Sequence, residues 1–66
     1  MRYIVGQTTQ GTAVFLLTDR GAVNLSALDP RVGPDLAGLI GAGMTAAEIA
    51  DLAASGPAVP LASVTP

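Results

Sequence analysis

Sixty-six residues with neither cysteine nor histidine make one small domain that no disulfide can staple and for which a zinc site is nearly excluded. The formal net charge is −2, and Arg2, Arg20 and Arg31 stand far apart in sequence, which argues against nucleic acid as a partner because phosphate binding needs clustered cations. Half of the residues are hydrophobic, but twelve of them are alanine and the aromatic set is one Phe and one Tyr, so the core is thin for a chain that buries only about 60% of its unfolded surface.

No apolar run approaches the roughly 18 residues of a membrane span. The first apolar stretch ends at Gly6, too early for a secretory leader, so a cytoplasmic location and no membrane partner are expected. The glycosylation sequon Asn24-Leu25-Ser26 then carries no meaning.

In chain order, Arg2–Val5 reads as a short strand with Tyr3 and Val5 on one face and Ile4 on the other. Gly6–Gly11 is polar and bracketed by glycines, the composition of a returning loop, and its Thr8 and Thr9 have no base near them to make them nucleophiles. The organising stretch is Ala13–Leu25: an apolar run, the turn Thr18-Asp19-Arg20-Gly21 with glycine where a hairpin loop needs a left-handed residue, and a second apolar run. Thr12–Leu17 and Ala22–Leu25 complete a three-stranded antiparallel meander.

The central strand has two apolar faces, Val14 and Leu16 on one and Ala13, Phe15 and Leu17 on the other. Such a strand needs cover on both sides. Two short helices supply one side, so the other is expected to be an exposed patch that a partner buries.

Ser26–Val32 is a connection with Leu28 tucked under the sheet and a turn at Asp29-Pro30. Gly33-Pro34-Asp35 predicts a helix start with proline at the first helical position, and Leu36, Leu39 and Ile40 follow at helical spacing until Gly41 and Gly43. Thr45-Ala46-Ala47-Glu48 is a capping box, with Met44 and Ile49 placed as a hydrophobic staple. Ile49, Leu52 and Ala53 form the apolar stripe of the second helix, and Ser55-Gly56-Pro57 ends it. Glu48 and Asp51 sit one turn apart, as a cap and a solvated face rather than a catalytic carboxylate pair. Val59–Val64 is a last extended segment that Pro60 confines to an edge. The chain stops at Thr65-Pro66 without a closing helix, as a domain running on into another would.

The stretch Gly41-Ala42-Gly43-Met44-Thr45-Ala46 fits G-x-G-x-x-A, the dinucleotide-binding fingerprint. Pro34-Asp35 starts a helix where the preceding strand should be, no acidic residue follows at the ribose position, and too little chain remains. The reading is helix–turn–helix, with no nucleotide cofactor.

The order of these elements resembles the N-terminal domain of the fumarylacetoacetate hydrolase family over essentially the whole chain. The resemblance is carried by the strand MRYIVG, the hairpin AVFLLTDRGAVNLSAL (Ala13–Leu28), where the family typically reads G-V-L-x-G-D-x-V-V-D-L-S-A-L, the two helices, and the closing VPLASV (Val59–Val64). Phe15 stands where glycine is commoner and Asn24 where aspartate is commoner. The resemblance implies a non-catalytic domain, residues 1–66, that precedes and docks on a catalytic domain in the same polypeptide. That parent would act on a 2-oxo or β-diketo acid by C–C hydrolysis, decarboxylation or isomerisation, with Mg or Mn, and would form a homodimer. The family's metal ligands and its His/Glu pair belong to the catalytic domain, and no catalytic, cofactor-binding or metal-binding residue is matched here. A second reading of the residues is a free-standing interaction or dimerisation module. The expected fold class is α+β, a three-stranded antiparallel meander with two short helices and a terminal extended segment.

Overall fold

The computed structural model describes residues 2–65, so Met1 and Pro66, the outer ends of the first strand motif and the closing segment, lie outside it. The fold is α+β. Strands β1 (Arg2–Thr8), β2 (Gly11–Thr18), β3 (Gly21–Asn24) and β4 (Ala58–Val59) form one antiparallel sheet in the order β1-β2-β3-β4. Helices α1 (Leu25–Leu28), α2 (Leu36–Gly41) and α3 (Ala46–Ser55) follow the meander, with 3-10 turns at Pro30–Val32 and Leu61–Ser63.

The expected meander is present, and two things were missing from it. The closing segment contributes a fourth strand, because Ala58 and Val59 pair with Val23 and Ala22 on the open side of β3. The stretch Ser26–Val32 is not a plain connection, since it begins inside α1 and ends in a 3-10 turn. Asn24 caps α1 by accepting from the Ala27 amide at 3.0 Å, and Asp29 caps the 3-10 turn by accepting from Arg31 at 2.9 Å. Short caps of this kind show no periodicity in sequence.

β1 also runs through the stretch expected to be a loop. Pairing continues as Gly6↔Ala13, Gln7↔Thr12 and Thr8↔Gly11, so only Thr9 and Gln10 make the corner. The two hairpin turns are built alike. Thr8 Oγ1 donates to the Gly11 carbonyl and accepts from the Gln10 amide; Thr18 Oγ1 donates to the Gly21 carbonyl and accepts from the Arg20 amide. Gly11 and Gly21 take φ of +114° and +126°, backbone that side-chain-bearing residues rarely adopt. The repeat T-x-x-G, ten residues apart, was visible in the sequence for both turns.

One face of the sheet packs Val14, Leu16 and Val23 against Leu25, Val32, Leu39, Ile49 and Ala53, with Tyr3, Leu28, Met44 and Leu52 at its margin. The opposite face holds Ala13, Phe15 and Ala22 with Ile4, Leu17 and Val64. The expectation of an exposed apolar patch on this side is therefore corrected: Phe15 is only 6% exposed. The chain covers the second face itself, because the segment after β4 returns across it and Val64 seats over Gly6 and Phe15. An added Cβ at Gly6 would stand 2.6 Å from Val64 Cγ1 and 3.0 Å from the Phe15 ring. The Gln7 amide then donates to the Thr65 carbonyl at 2.6 Å and holds the segment to β1.

Gly21 is constrained twice, by its φ and by the Val59 carbonyl that would meet a Cβ, whereas around Gly11 the space is open. Gly11→Ala is expected to cost about 1–2 kcal/mol of backbone strain, and Gly21→Ala clearly more because β4 must also shift. Urea melts of the two variants check this, and equal losses would mean that the contact with β4 adds nothing.

Candidate functional site

Three places in the molecule bring polar or exposed groups together. The first is a cleft of about 190 Å³ between the first hairpin and the α1–α2 connection, lined by Thr8, Gln10, Thr12, Asn24, Ser26 and Pro34 among others. Its origin is the point where β3 leaves the sheet. Pairing of β2 with β3 stops at Phe15↔Asn24, and the next β2 amide, that of Val14, donates to Ser26 Oγ at 2.8 Å. Ser26 Oγ in turn donates to the Gly33 carbonyl at 2.6 Å. The hydroxyl thus continues the ladder after the backbone has turned away, and ties the loop before α2 to the strand.

The hydroxyl proton of Ser26 is held by a carbonyl, Thr8 Oγ1 serves its own turn, and Asn24 Oδ1 caps α1. No charged side chain lines the cleft, so it holds no base to activate a hydroxyl. At position 24 an aspartate would present the same cap acceptor as the asparagine.

The second place is the ends of the helices, where the charged residues stand. Thr45 Oγ1 accepts from the Glu48 amide at 3.2 Å and the Glu48 carboxylate accepts from the Thr45 amide at 3.1 Å, the expected capping box. Hydrogen bonding of the carboxylate to the Thr45 backbone amide, and then to the Thr45 side chain, holds the Glu48 carboxyl below its ordinary pKa. Met44 packs on the cluster containing Ile49, as a staple does. Ala42 to Thr45 is the turn between two helices: Leu39, Ile40 and Gly41 are helical, and every strand of the sheet pairs antiparallel, so no dinucleotide-binding β-α-β unit is present among the described residues.

Pro34 lies outside α2 rather than at its first position, and Asp35 is the cap, accepting from the Gly38 amide at 2.8 Å. Arg31 pairs with Asp29 at 2.7 Å, and its hydrogen bonds lower the Asp29 carboxyl pKa. Arg20, at the tip of the β2–β3 hairpin, donates to the carbonyls of Ala53 at 2.9 Å and Gly56 at 3.5 Å. Sequence reasoning missed this tie, because a partner more than thirty residues away leaves no local trace. A guanidinium at the carbonyl end of a helix also faces the favourable end of its dipole.

Among the described residues no three Asp, Glu, His or Cys side chains gather as a metal site would require, and no helix is long and apolar enough to cross a membrane. The residues present do not fit the divalent metal of the resembling family.

The third place is apolar. Leu36 is 41% and Ile40 80% exposed, one turn apart on α2, and Val59 and Leu61 are exposed on the returning segment. Leu36, Leu39 and Ile40 stand on α2 at the helical spacing read from the sequence, and of the three only Leu39 is in the core. The chain matches no family model, no curated protein and no solved structure with which it was compared.

Ser26→Ala leaves the amide of Val14, a residue with no exposed surface, without its acceptor, at an expected cost of about 1–3 kcal/mol; a melt unchanged by the substitution would remove Ser26 from the ladder. Because the folded-state pKa values of Glu48 and Asp29 lie below their ordinary values, their stabilisation is complete above the ordinary carboxylate pKa and is lost as pH falls below it and through the lowered folded-state values. The melting temperature is therefore expected to drop as pH falls below about 5. Thr45→Ala removes about 1 kcal/mol of capping; Glu48→Gln, which removes the titrating carboxyl, should flatten part of that drop, and an unaltered pH profile in this second variant would separate Glu48 from it.

Proposed function

We propose that the chain is a non-catalytic N-terminal domain that docks on the catalytic domain of an enzyme resembling the fumarylacetoacetate hydrolase family. The parent would carry out metal-assisted C–C hydrolysis, decarboxylation or isomerisation of a 2-oxo or β-diketo acid. All of that chemistry would lie outside residues 1–66, whose polar side chains in the cleft and at the helix ends are engaged in holding backbone together. One stretch of residues supports the resemblance. The quoted stretch Ala13–Leu28 spans most of β2, all of β3 and α1, including the Ser26 tie.

The observation that carries the docking is the exposed pair Leu36 and Ile40 on α2. A six-residue helix that buries one side chain and leaves an aliphatic pair in solvent is poorly explained as monomer surface. Docking through this face replaces the sheet face originally expected to meet the partner, since that face is already covered by the chain.

The test has two arms. Reading the gene beyond residue 66 should reveal a catalytic domain with clustered acidic metal ligands and a His/Glu pair; an immediate stop codon would leave the free-standing module. In the full-length protein, Ile40→Lys should leave the domain itself folded, within about 0.5 kcal/mol as for other exposed positions, while freeing it from the catalytic domain in limited proteolysis. Sedimentation of the 66-residue chain provides the contrast: a dimer that Ile40→Lys dissociates would favour self-association over docking.

A further inference from the structure

We infer that residues 60–65 form a strap that swings off the sheet as one unit about the Val59–Pro60 junction, leaving β1, β2, β3 and the helices folded. The strap carries its own structure. The amides of Ser63 and Val64 donate to the carbonyls of Pro60 at 2.9 Å and Leu61 at 3.0 Å, and Ser63 Oγ donates to the Pro60 carbonyl at 2.7 Å. These bonds move with it. The junction can pivot without breaking the ladder of β4, because Pro60 has no amide to lose from it.

Its hold on the sheet is slight. Of residues 60–65, Val64 is the one that is not exposed, and it is the one packed on the cluster around Phe15. Leu61, the other large apolar side chain of the strap, is 52% exposed. Among the described residues the backbone tie is the Gln7 amide donating to the Thr65 carbonyl at 2.6 Å. Lifting the strap gives up that contact and that bond, whose two ends water can satisfy, and it returns conformational freedom to the backbone. The larger core is untouched, since none of its residues lies beyond Ala58. A segment with so few buried contacts opens well below the free energy of global unfolding. Opening uncovers Phe15 and frees the Gln7 amide on the edge strand at the same moment. The strap is thus a latch: closed, it hides an apolar side chain and an edge donor, and open, it presents both. Gly6 lets it close, because Val64 Cγ1 stands where a Cβ at that position would be.

Native-state amide hydrogen exchange of the 66-residue chain, followed by NMR, tests this. The Gln7 amide should be protected about tenfold or more over an unstructured peptide. It should also be at least about a hundredfold less protected than the Val14 amide, which is bonded to Ser26 and follows global unfolding. Low urea should speed exchange at Val14 but not at Gln7, because strap opening exposes little surface. Val64→Asp, whose carboxylate cannot rest against Phe15, should hold the strap open. Protection at Gln7 is then lost, while the Val14 factor falls by no more than the Gln7 factor of the unsubstituted chain, since releasing the strap cannot cost more than closing it gained. Equal protection of Gln7 and Val14 in the unsubstituted chain overturns the inference. So does a larger fall at Val14 in the variant, which would make strap and sheet one cooperative unit. A Gln7 amide indifferent to Val64→Asp overturns it as well, because the exchange would then come from fraying at the hairpin corner.

Discussion

Both faces of β2 must be kept from water, and the remainder of the molecule is arranged to do it. Val14 and Leu16 point to one side and Ala13 and Phe15 to the other, and all four are buried. At about 1.5–3 kcal/mol for each fully buried large aliphatic or aromatic side chain, the first face dominates. It gathers Val14, Leu16, Val23, Leu25, Val32, Leu39 and Ile49 under the helices, whereas the second has Phe15 and two alanines at its centre. The helical side therefore holds the fold, and the returning segment completes it.

That returning segment depends on what two residues lack. Gly6 leaves room for Val64, and Gly21 leaves room for the Val59 carbonyl. Between them they let β4 and the residues after it lie close against the sheet, where any side chain at either position would push the strand away. Leu28 and Gly56 use the same device on the other face, where the leucine fills the space a Cβ would take at the end of α3. Gly56 therefore closes α3 by its small size rather than by a left-handed backbone, its φ being −99°.

Polar side chains in so small a domain are spent where regular structure stops. Thr8 and Thr18 close the hairpins, Asn24, Asp29, Asp35 and Thr45 cap helical turns, and Ser26 replaces the strand partner that β2 loses. Each supplies a bond at a place where a backbone group would be left without one, and an unpaired buried group costs about as much as the bond is worth. Arg20 does the same across the fold, joining the hairpin tip to the last carbonyls of α3. With these groups so engaged, the large apolar side chains left exposed among the described residues are Leu36 and Ile40 on α2 and Val59 and Leu61 on the returning segment.

What the sequence determined by itself is local. Alternating apolar residues set the two faces of β2, Gly21 set the hairpin, and Thr45 with Glu48 set the start of α3, because each requires only neighbours within a few positions. The absence of cysteine and histidine was equally legible, since composition alone states it. Tertiary structure alone decided the extension of β1 through Gly6, the burial of Leu39 without Leu36 and Ile40, the clamp of Arg20 on α3, and the cover of Phe15 by Val64. These rest on segments far apart in sequence, and burial of an apolar side chain depends on which surface the folded chain brings to it.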